Sequence, residues 1–241
     1  MEKPVMRLMI SVISVSEAED AVRGGADIVD IKNPVEGSLG AQPPGLIREI
    51  STCGSGRAEI SAAIGDMPNL PGTAALAALG AAVCGAGYIK VGLHGTRSEA
   101  ESVKLLCAVR EAVRGFPASV IAAAYADYRR AGTLNPEWLP RVAAEARVTG
   151  CLVDTAVKDG HTVFDFMDSR TLRLLADQSH AAGLWFAMAG ALREQDLPVA
   201  RALGADVVGL RTAVCKDSRR DGPLDAARVL RLSRFLRSDV P

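Results

Sequence analysis

The run Asp30-Ile31-Lys32-Asn33-Pro34 puts a carboxylate and an amine two residues apart, after the mainly apolar stretch Ala26-Asp27-Ile28-Val29. Asn33-Pro34 stops that stretch, so it reads as a short buried strand ending in a turn. Side chains alternate across a strand, which sends Asp30 and Lys32 to one side, about 6–7 Å apart. Charged groups on the inner face of a buried strand are costly to desolvate unless they are paired or used. A lysine held there gives up its proton more readily, and a neutral amine attacks carbonyls. The same pattern also fits a structural ion pair, since such pairs perturb titration too.

Further charged groups weigh against that plain reading. Arginine outnumbers lysine 22 to 6, so the surface is dressed with arginine and does not account for the lysines. Three of the six lie at or just past strand ends: Lys32, Lys90 in Tyr88-Ile89-Lys90-Val91-Gly92-Leu93, and Lys158 after Leu152-Val153-Asp154-Thr155. Asp154 supplies a second strand-end carboxylate. Alternate strands share a layer inside a barrel, so Asp30, Lys32, Lys90 and Asp154, on the second, fourth and sixth strands, are expected to meet in one polar layer. Phosphate handling is expected after the seventh and eighth strands, through Gly190 in Met188-Ala189-Gly190-Ala191, and Gly209 and Arg211 in Val208-Gly209-Leu210-Arg211-Thr212. Glycine lets backbone N–H groups approach an anion, and barrel loops there often hold phosphate. Ser38, within a long loop over 33–42, is a further candidate phosphate ligand.

These residues need a scaffold that brings strand ends together. Eight apolar segments recur, at 7–13, 27–32, 58–64, 88–93, 119–125, 150–154, 184–189 and 206–211. Amphipathic stretches follow, beginning near Ser16, Pro43, Thr73, Arg97, Pro136, Ser169, Arg193 and Pro223. Ser16 with Glu19 has the spacing of a capping box. Gly24-Gly25, Gly85, Gly183 and Gly204 mark helix ends. Strict strand–helix alternation implies right-handed βαβ units and a parallel sheet, and eight units in 241 residues imply a single (β/α)8 barrel domain over 1–241. An open doubly wound sheet is the alternative, weakened because no G-x-G-x-x-G follows the first strand.

Composition narrows the function. Twenty-eight basic against 28 acidic residues, with 4% aromatics, argue against a nucleic-acid partner. The five cysteines, at 53, 84, 107, 151 and 215, are odd in number and form no C-x-x-C, which fits a reduced, cytoplasmic protein. Met1-Glu2-Lys3-Pro4 lacks a signal-peptide pattern, and no apolar run reaches the roughly 18–20 residues of a membrane span. The histidines, His94, His161 and His180, lack metal-ligand spacing, so no metal is expected, and no cofactor is called for. His94 is read as facing the site, and the other two as solvated or capping.

Gly24–Pro34, Glu36-Gly37-Ser38-Leu39-Gly40-Ala41, Tyr88-Ile89-Lys90-Val91-Gly92-Leu93, Asp154-Thr155-Ala156-Val157-Lys158-Asp159-Gly160 and Phe164-Asp165-Phe166 together resemble the (5-formylfuran-3-yl)methyl phosphate synthase family of methanofuran biosynthesis. The resemblance runs in order along nearly the whole chain. It implies a TIM barrel and a carbon–oxygen lyase that condenses two glyceraldehyde 3-phosphate molecules into a phosphorylated furan aldehyde, with loss of phosphate and water. It places the Schiff-base lysine at Lys32, the proton acceptor at Lys90, and supporting roles at Asp30, Asp154 and Lys158. The chain departs from the family pattern at His94, where archaeal members tend to have tyrosine, and at Ala191, where serine is common.

The residues allow the same chemistry. Lys32 can form an iminium with a sugar-phosphate carbonyl, which acidifies the adjacent C–H. Lys90, its proton affinity reduced by neighbouring cations, can take that proton. The enamine can then attack a second aldehyde, with Asp30 and Asp154 relaying protons and Arg211 holding phosphate. The expected partner is a small phosphorylated aldehyde, without nucleic acid or membrane, and the chain is expected to form a homo-oligomer. Another class I aldolase acting on a different sugar phosphate, and a non-catalytic barrel that binds phosphorylated metabolites, are the alternatives.

Overall fold

The computed structural model describes residues 5–238. Met1–Pro4, read above for a leader pattern, lie outside them. Eight parallel strands close in chain order: β1 Arg7–Val12, β2 Ile28–Ile31, β3 Glu59–Asp66, β4 Tyr88–Gly92, β5 Ser119–Tyr125, β6 Gly150–Asp154, β7 Trp185–Met188 and β8 Val207–Leu210. β8 returns to β1 with Arg7 opposite Val207 and Ile10 opposite Leu210. The sheet is therefore a closed barrel and not an open doubly wound one.

Strand parity explains both cores. Ile10, Val29, Ile89, Val120, Val153 and Phe186 point outward and are buried under the helices. Met9, Ile28, Ile121, Leu152, Ala187 and Val207 point inward and fill the barrel. Asp30, Lys90 and Asp154 share the inward parity, each two residues along from an inward apolar side chain or at its equivalent. The outer ring contains α1 Val15–Arg23, α2 Pro44–Gly54, α3 Pro71–Val83, α4 Glu99–Ala112, α6 Leu139–Glu145, α7 Ser169–Ala181, α8 Leu197–Ala202 and α9 Ala226–Ser238. A short helix, α5 Tyr128–Ala131, follows β5 and was not expected. Among the described residues, no helix is long and apolar enough to cross a membrane.

Three differences from the sequence reading bear on the site. First, the cap of α1 is Ser14, whose hydroxyl accepts from the Glu17 N–H, and not Ser16. Glu17 then stands in the first turn, where its carboxylate accepts from the Ile13 N–H at 2.9 Å and takes a further partner described below. Second, β3 runs on to Asp66 through an irregularity after Ala63, which carries Asp66 to the rim. Third, the last helix starts at Ala226 and not near Pro223. The intervening chain folds as two 3-10 turns, Thr212–Val214 and Lys216–Ser218, in a loop whose ends meet at the Cys215–Leu224 bridge. Cys84, Cys151 and Cys215 are buried thiols, and burial pushes Cys151 up to about 12.

Candidate active site

Lys32 emerges one residue past β2. Its N–H donates to the Val12 carbonyl at 3.2 Å, and its own carbonyl accepts from the Gln42 side chain at 3.1 Å. Its backbone is thus held on both sides, and the side chain is directed into the barrel mouth, only 5% exposed. Lys90 on β4 and Asp30 on β2 are as deeply buried. Lys90 Nζ lies 2.6 Å from both Asp30 carboxylate oxygens, and the Ser11 hydroxyl donates to Asp30 Oδ2 at 2.9 Å. Lys158 reaches back from its loop to bond Asp154 Oδ1 and the Thr155 hydroxyl. Lys32 Nζ is 3.9 Å from Asp154 Oδ2.

The five groups therefore meet at one end of the barrel, where their closest contacts divide them into two units. Lys90 and Asp30 are a tight pair that also borders the apolar barrel interior, beside Tyr88 and Leu152. Lys32, Asp154 and Lys158 form a triad nearer the mouth, with Asp154 between the amines. The carboxylate in ion-pair reach of Lys32 is Asp154, at 3.9 Å, while Asp30 is held by Lys90. Lys90 has the Asp30 carboxylate as its immediate neighbour, with the Lys32 amine also within electrostatic reach.

This arrangement separates the lysines electrostatically. Burial strips water from Lys32, and the loose Asp154 contact only partly compensates, leaving its pKa lowered to about 7. Burial also lowers Lys158, against the pull of Asp154 and with the help of the Arg220 charge. Burial alone would raise both carboxylates. The Lys90 and Lys32 charges overcome it at Asp30, and those of Lys158 and Lys32 overcome it at Asp154, leaving both below the usual carboxylate range. At neutral pH, Lys32 is therefore an amine that spends much of its time uncharged beside ionised acids.

Lys32, Lys90, Asp154, Lys158, Gly190 and Arg220 line one small inner pocket. Lys158, Ala191, Thr212 and Arg220 also line a larger adjoining cavity of about 620 Å³. That size suits small-ligand sites generally. Two glycines make room for the site. A Cβ at Gly92 would collide with the Tyr125 hydroxyl, and one at Gly209 would come within 2.8 Å of Met9 Cε.

The comparisons with known proteins bear on what this site belongs to. A family model described as 4-HFC-P synthase matches residues 8–233. The chain belongs to that family. Curated members named (5-formylfuran-3-yl)methyl phosphate synthase include one from Methanosarcina acetivorans, 49% identical over 89% of this chain and 93% of its own. One from Methanopyrus kandleri is 46% identical over 95% and 98%. This agrees with the resemblance read from the motifs and makes the chain a synthase-family enzyme. Among solved structures, 3-hexulose-6-phosphate synthase from Salmonella typhimurium has a TM-score of 0.65 at 18% identity, over 96% of this chain and 100% of the other. Phosphoribosyl anthranilate isomerase from Thermus thermophilus has a TM-score of 0.61 at 21% identity, over 97% and 99%. These share the barrel fold.

Within this synthase-family barrel, the residues read as phosphate ligands fare differently. Gly190 lines the inner pocket in a left-handed conformation, φ 97°, and Gly209 lines it as well. Arg211 does not have a free fork. Its Nη1 donates to Glu17 Oε2 at 2.8 Å and to the Ser11 carbonyl at 3.0 Å, its Nη2 to Glu17 Oε1 at 3.3 Å and to the Gly222 carbonyl at 3.5 Å, and its Nε to the Arg220 carbonyl at 2.8 Å. All five donors are spent inside the protein, so Arg211 is corrected from phosphate ligand to structural tie. Ser38 is corrected likewise. Its hydroxyl donates to the Thr155 carbonyl at 2.7 Å and its N–H to Asp66 at 2.8 Å, so it fastens the 33–42 loop to the end of β6. His94 is half-buried against the Tyr125 ring and does not line the inner pocket.

Two anchoring carboxylates were missed. Asp66 binds the Ser38 and Leu39 N–H groups and the Tyr125 hydroxyl. Asp127, just past β5, accepts from the Ala156 and Val157 N–H groups at 2.6 and 2.9 Å, and so fixes the loop that presents Lys158. Their position at strand ends was the available signal.

Proposed function

We propose that this enzyme condenses two molecules of glyceraldehyde 3-phosphate into (5-formylfuran-3-yl)methyl phosphate, with loss of one phosphate and two waters, through a Schiff base on Lys32, in methanofuran biosynthesis. The observation that carries the reading is the contrast among three buried lysines. Lys90 and Lys158 are each bound closely to a carboxylate, whereas Lys32 stands 3.9 Å from its nearest one and has a pKa of about 7. It is the amine best prepared to attack an aldehyde at neutral pH. The product rests on the names of the relatives, and the substrate on the family resemblance read from the motifs.

Each group then has a task. The Lys32 amine adds to the aldehyde, and loss of water leaves an iminium. The Lys90–Asp30 pair faces that site and acts as one proton-exchanging unit, taking the proton from the adjacent carbon. The resulting enamine attacks the second aldehyde, and water later cleaves the regenerated iminium, which frees the product aldehyde and the Lys32 amine. Lys158, held by Asp154, protonates oxygen leaving groups during dehydration, while Asp154 offsets the charge on the iminium at Lys32.

The direct test is incubation with glyceraldehyde 3-phosphate alone, followed by isolation of the product. A phosphorylated furan aldehyde is expected, and an acyclic sugar phosphate as the sole product would point to a different aldolase. Lys90→Arg tests the base. It keeps the charge beside Asp30 but supplies no neutral amine at ordinary pH, so turnover should fall by roughly 10²-fold or more. Borohydride trapping on Lys32 should survive in that variant, and near-normal turnover would remove Lys90 from the mechanism.

A further inference from the structure

The loop between β8 and α9 crosses the mouth with one arginine turned inward. Lys216, Asp217, Ser218 and Arg219 are exposed, but Arg220 is only partly so. Its carbonyl is fixed by the Arg211 Nε–H, and the loop around it is closed by the Lys216 N–H to the Pro223 carbonyl and the Gly222 N–H to the Arg219 carbonyl. Its side chain lines both the inner pocket and the larger cavity. Its Nη2 is buried without a hydrogen-bond partner. A buried guanidinium N–H left without an acceptor is unfavourable, and such groups are retained where a ligand completes them.

The other arginines around the cavity do not share this condition: Arg193 is exposed, and the remaining two are bound within the protein. Arg231 is bound to Glu194 at 2.7 Å, and Arg228 to the Cys215 carbonyl at 2.7 Å. Opposite Arg220, the chain after β7 turns through left-handed backbone at Gly190 and Ala191, φ 97° and 52°. A non-glycine residue there bears a strain of roughly 1–2 kcal/mol. Lys90, Lys158 and Arg220 outnumber Asp30 and Asp154 by one, the iminium formed at Lys32 adds a second positive charge, and a phosphate dianion would balance the two.

We infer that Arg220 is the side chain that grips the phosphate of the aldehyde bound at Lys32, with the Gly190–Ala191 turn as the facing wall of the seat. This rests on the function proposed above for its substrate. Arg220 thereby takes the part that the sequence suggested for Arg211, while Arg211 holds the backbone from which Arg220 projects.

The experiment compares the wild type with Arg220→Gln, Arg220→Lys and Arg219→Gln. Binding of inorganic phosphate and borohydride trapping by glyceraldehyde 3-phosphate and by unphosphorylated glyceraldehyde are measured on each. Arg220→Gln should weaken phosphate binding and raise the concentration of phosphorylated aldehyde needed for trapping by about 10- to 100-fold. Trapping by glyceraldehyde should stay within about twofold of the wild type. Arg220→Lys should recover part of the loss, because charge remains but the fork does not. Arg219→Gln, on an exposed neighbour paired with Asp221, should change neither ligand.

Undiminished phosphate binding in Arg220→Gln, no phosphate binding to the wild type, or equal losses for both aldehydes would each overturn the assignment. If the wild type makes no furan aldehyde but still binds phosphate through Arg220, the proposed reaction fails and the phosphate seat stands. If furan is formed and Arg220→Gln binds phosphate normally, the seat fails and the reaction stands.

Discussion

Lys32→Ala should abolish product formation, with turnover falling on the order of 10⁴-fold or more, as when a covalent nucleophile is removed. Borohydride should no longer attach glyceraldehyde 3-phosphate to the peptide that contains residue 32. An adduct that persists on Lys90 or Lys158 would reassign the nucleophile. In the wild type, the trapping rate should rise with pH through about 7, where Lys32 loses its proton. Stability should respond with a definite sign. The Lys32 pKa falls from 10.5 in the unfolded chain to about 7 in the fold, so between those values the unfolded chain binds the extra proton. Folding stability from this group therefore increases as pH rises from about 7 to about 10.5, and below 7 the penalty for burying the ammonium is present in full. The drop corresponds to at most about 5 kcal/mol. Lys32→Met should accordingly melt at a higher temperature than the wild type near pH 6, and that advantage should shrink as pH approaches 10. Melting curves for both proteins across this range check the sign.

Arg211→Met should lower the melting temperature by roughly 6–20 °C. Removing one member of a buried pair costs about 3–5 kcal/mol, because the remaining charge is left uncompensated, and chains of this length lose about 2–4 °C per kcal/mol. Glu17 and Arg211 are both nearly fully buried. The double variant Glu17→Leu with Arg211→Met removes both charges and should recover most of the loss. It should not restore phosphate affinity, since the Arg220 carbonyl still lacks its donor. A double variant that melts as low as the single one would mean that the hydrogen bonds to the Ser11 and Arg220 carbonyls matter more than the ion pair.

The barrel and the inward parity of Asp30, Lys90 and Asp154 were legible because each sits in an apolar, β-branched run with period-two alternation. Their pairing was not. Lys158 meets Asp154 four positions away, but Lys90 meets Asp30 across 60 positions and Lys32 approaches Asp154 from a strand on another side of the barrel, and no local pattern encodes those two. Arg211 looked like a free cation because its carboxylate lies 194 positions away on α1. Glu17 in turn was hidden by Ser16 and Glu19, which have capping-box spacing but yield to Ser14. Arg220 stood in the charged stretch Lys216–Asp221, which reads as a solvated loop, and only the tertiary fold of that loop turns one of its side chains inward. Asp66 and Asp127 were visible as strand-end acids but carried no sign that their partners would be loop amides.

The Glu17–Arg211 tie also constrains the order in which the chain can mature. Its two halves belong to the first and the last βα units, so during synthesis the first unit emerges with an acid whose counterpart has not yet been made. Until the eighth strand docks between the seventh and the first, Glu17 must stay hydrated, and α1 cannot seat fully against the barrel wall. Contacts of such long sequence separation form late and slowly. Ring closure, burial of Glu17 and fixing of the Arg220 loop are thus one event, and a chain released short of its eighth unit would lack both the seam of the barrel and the cation at its mouth.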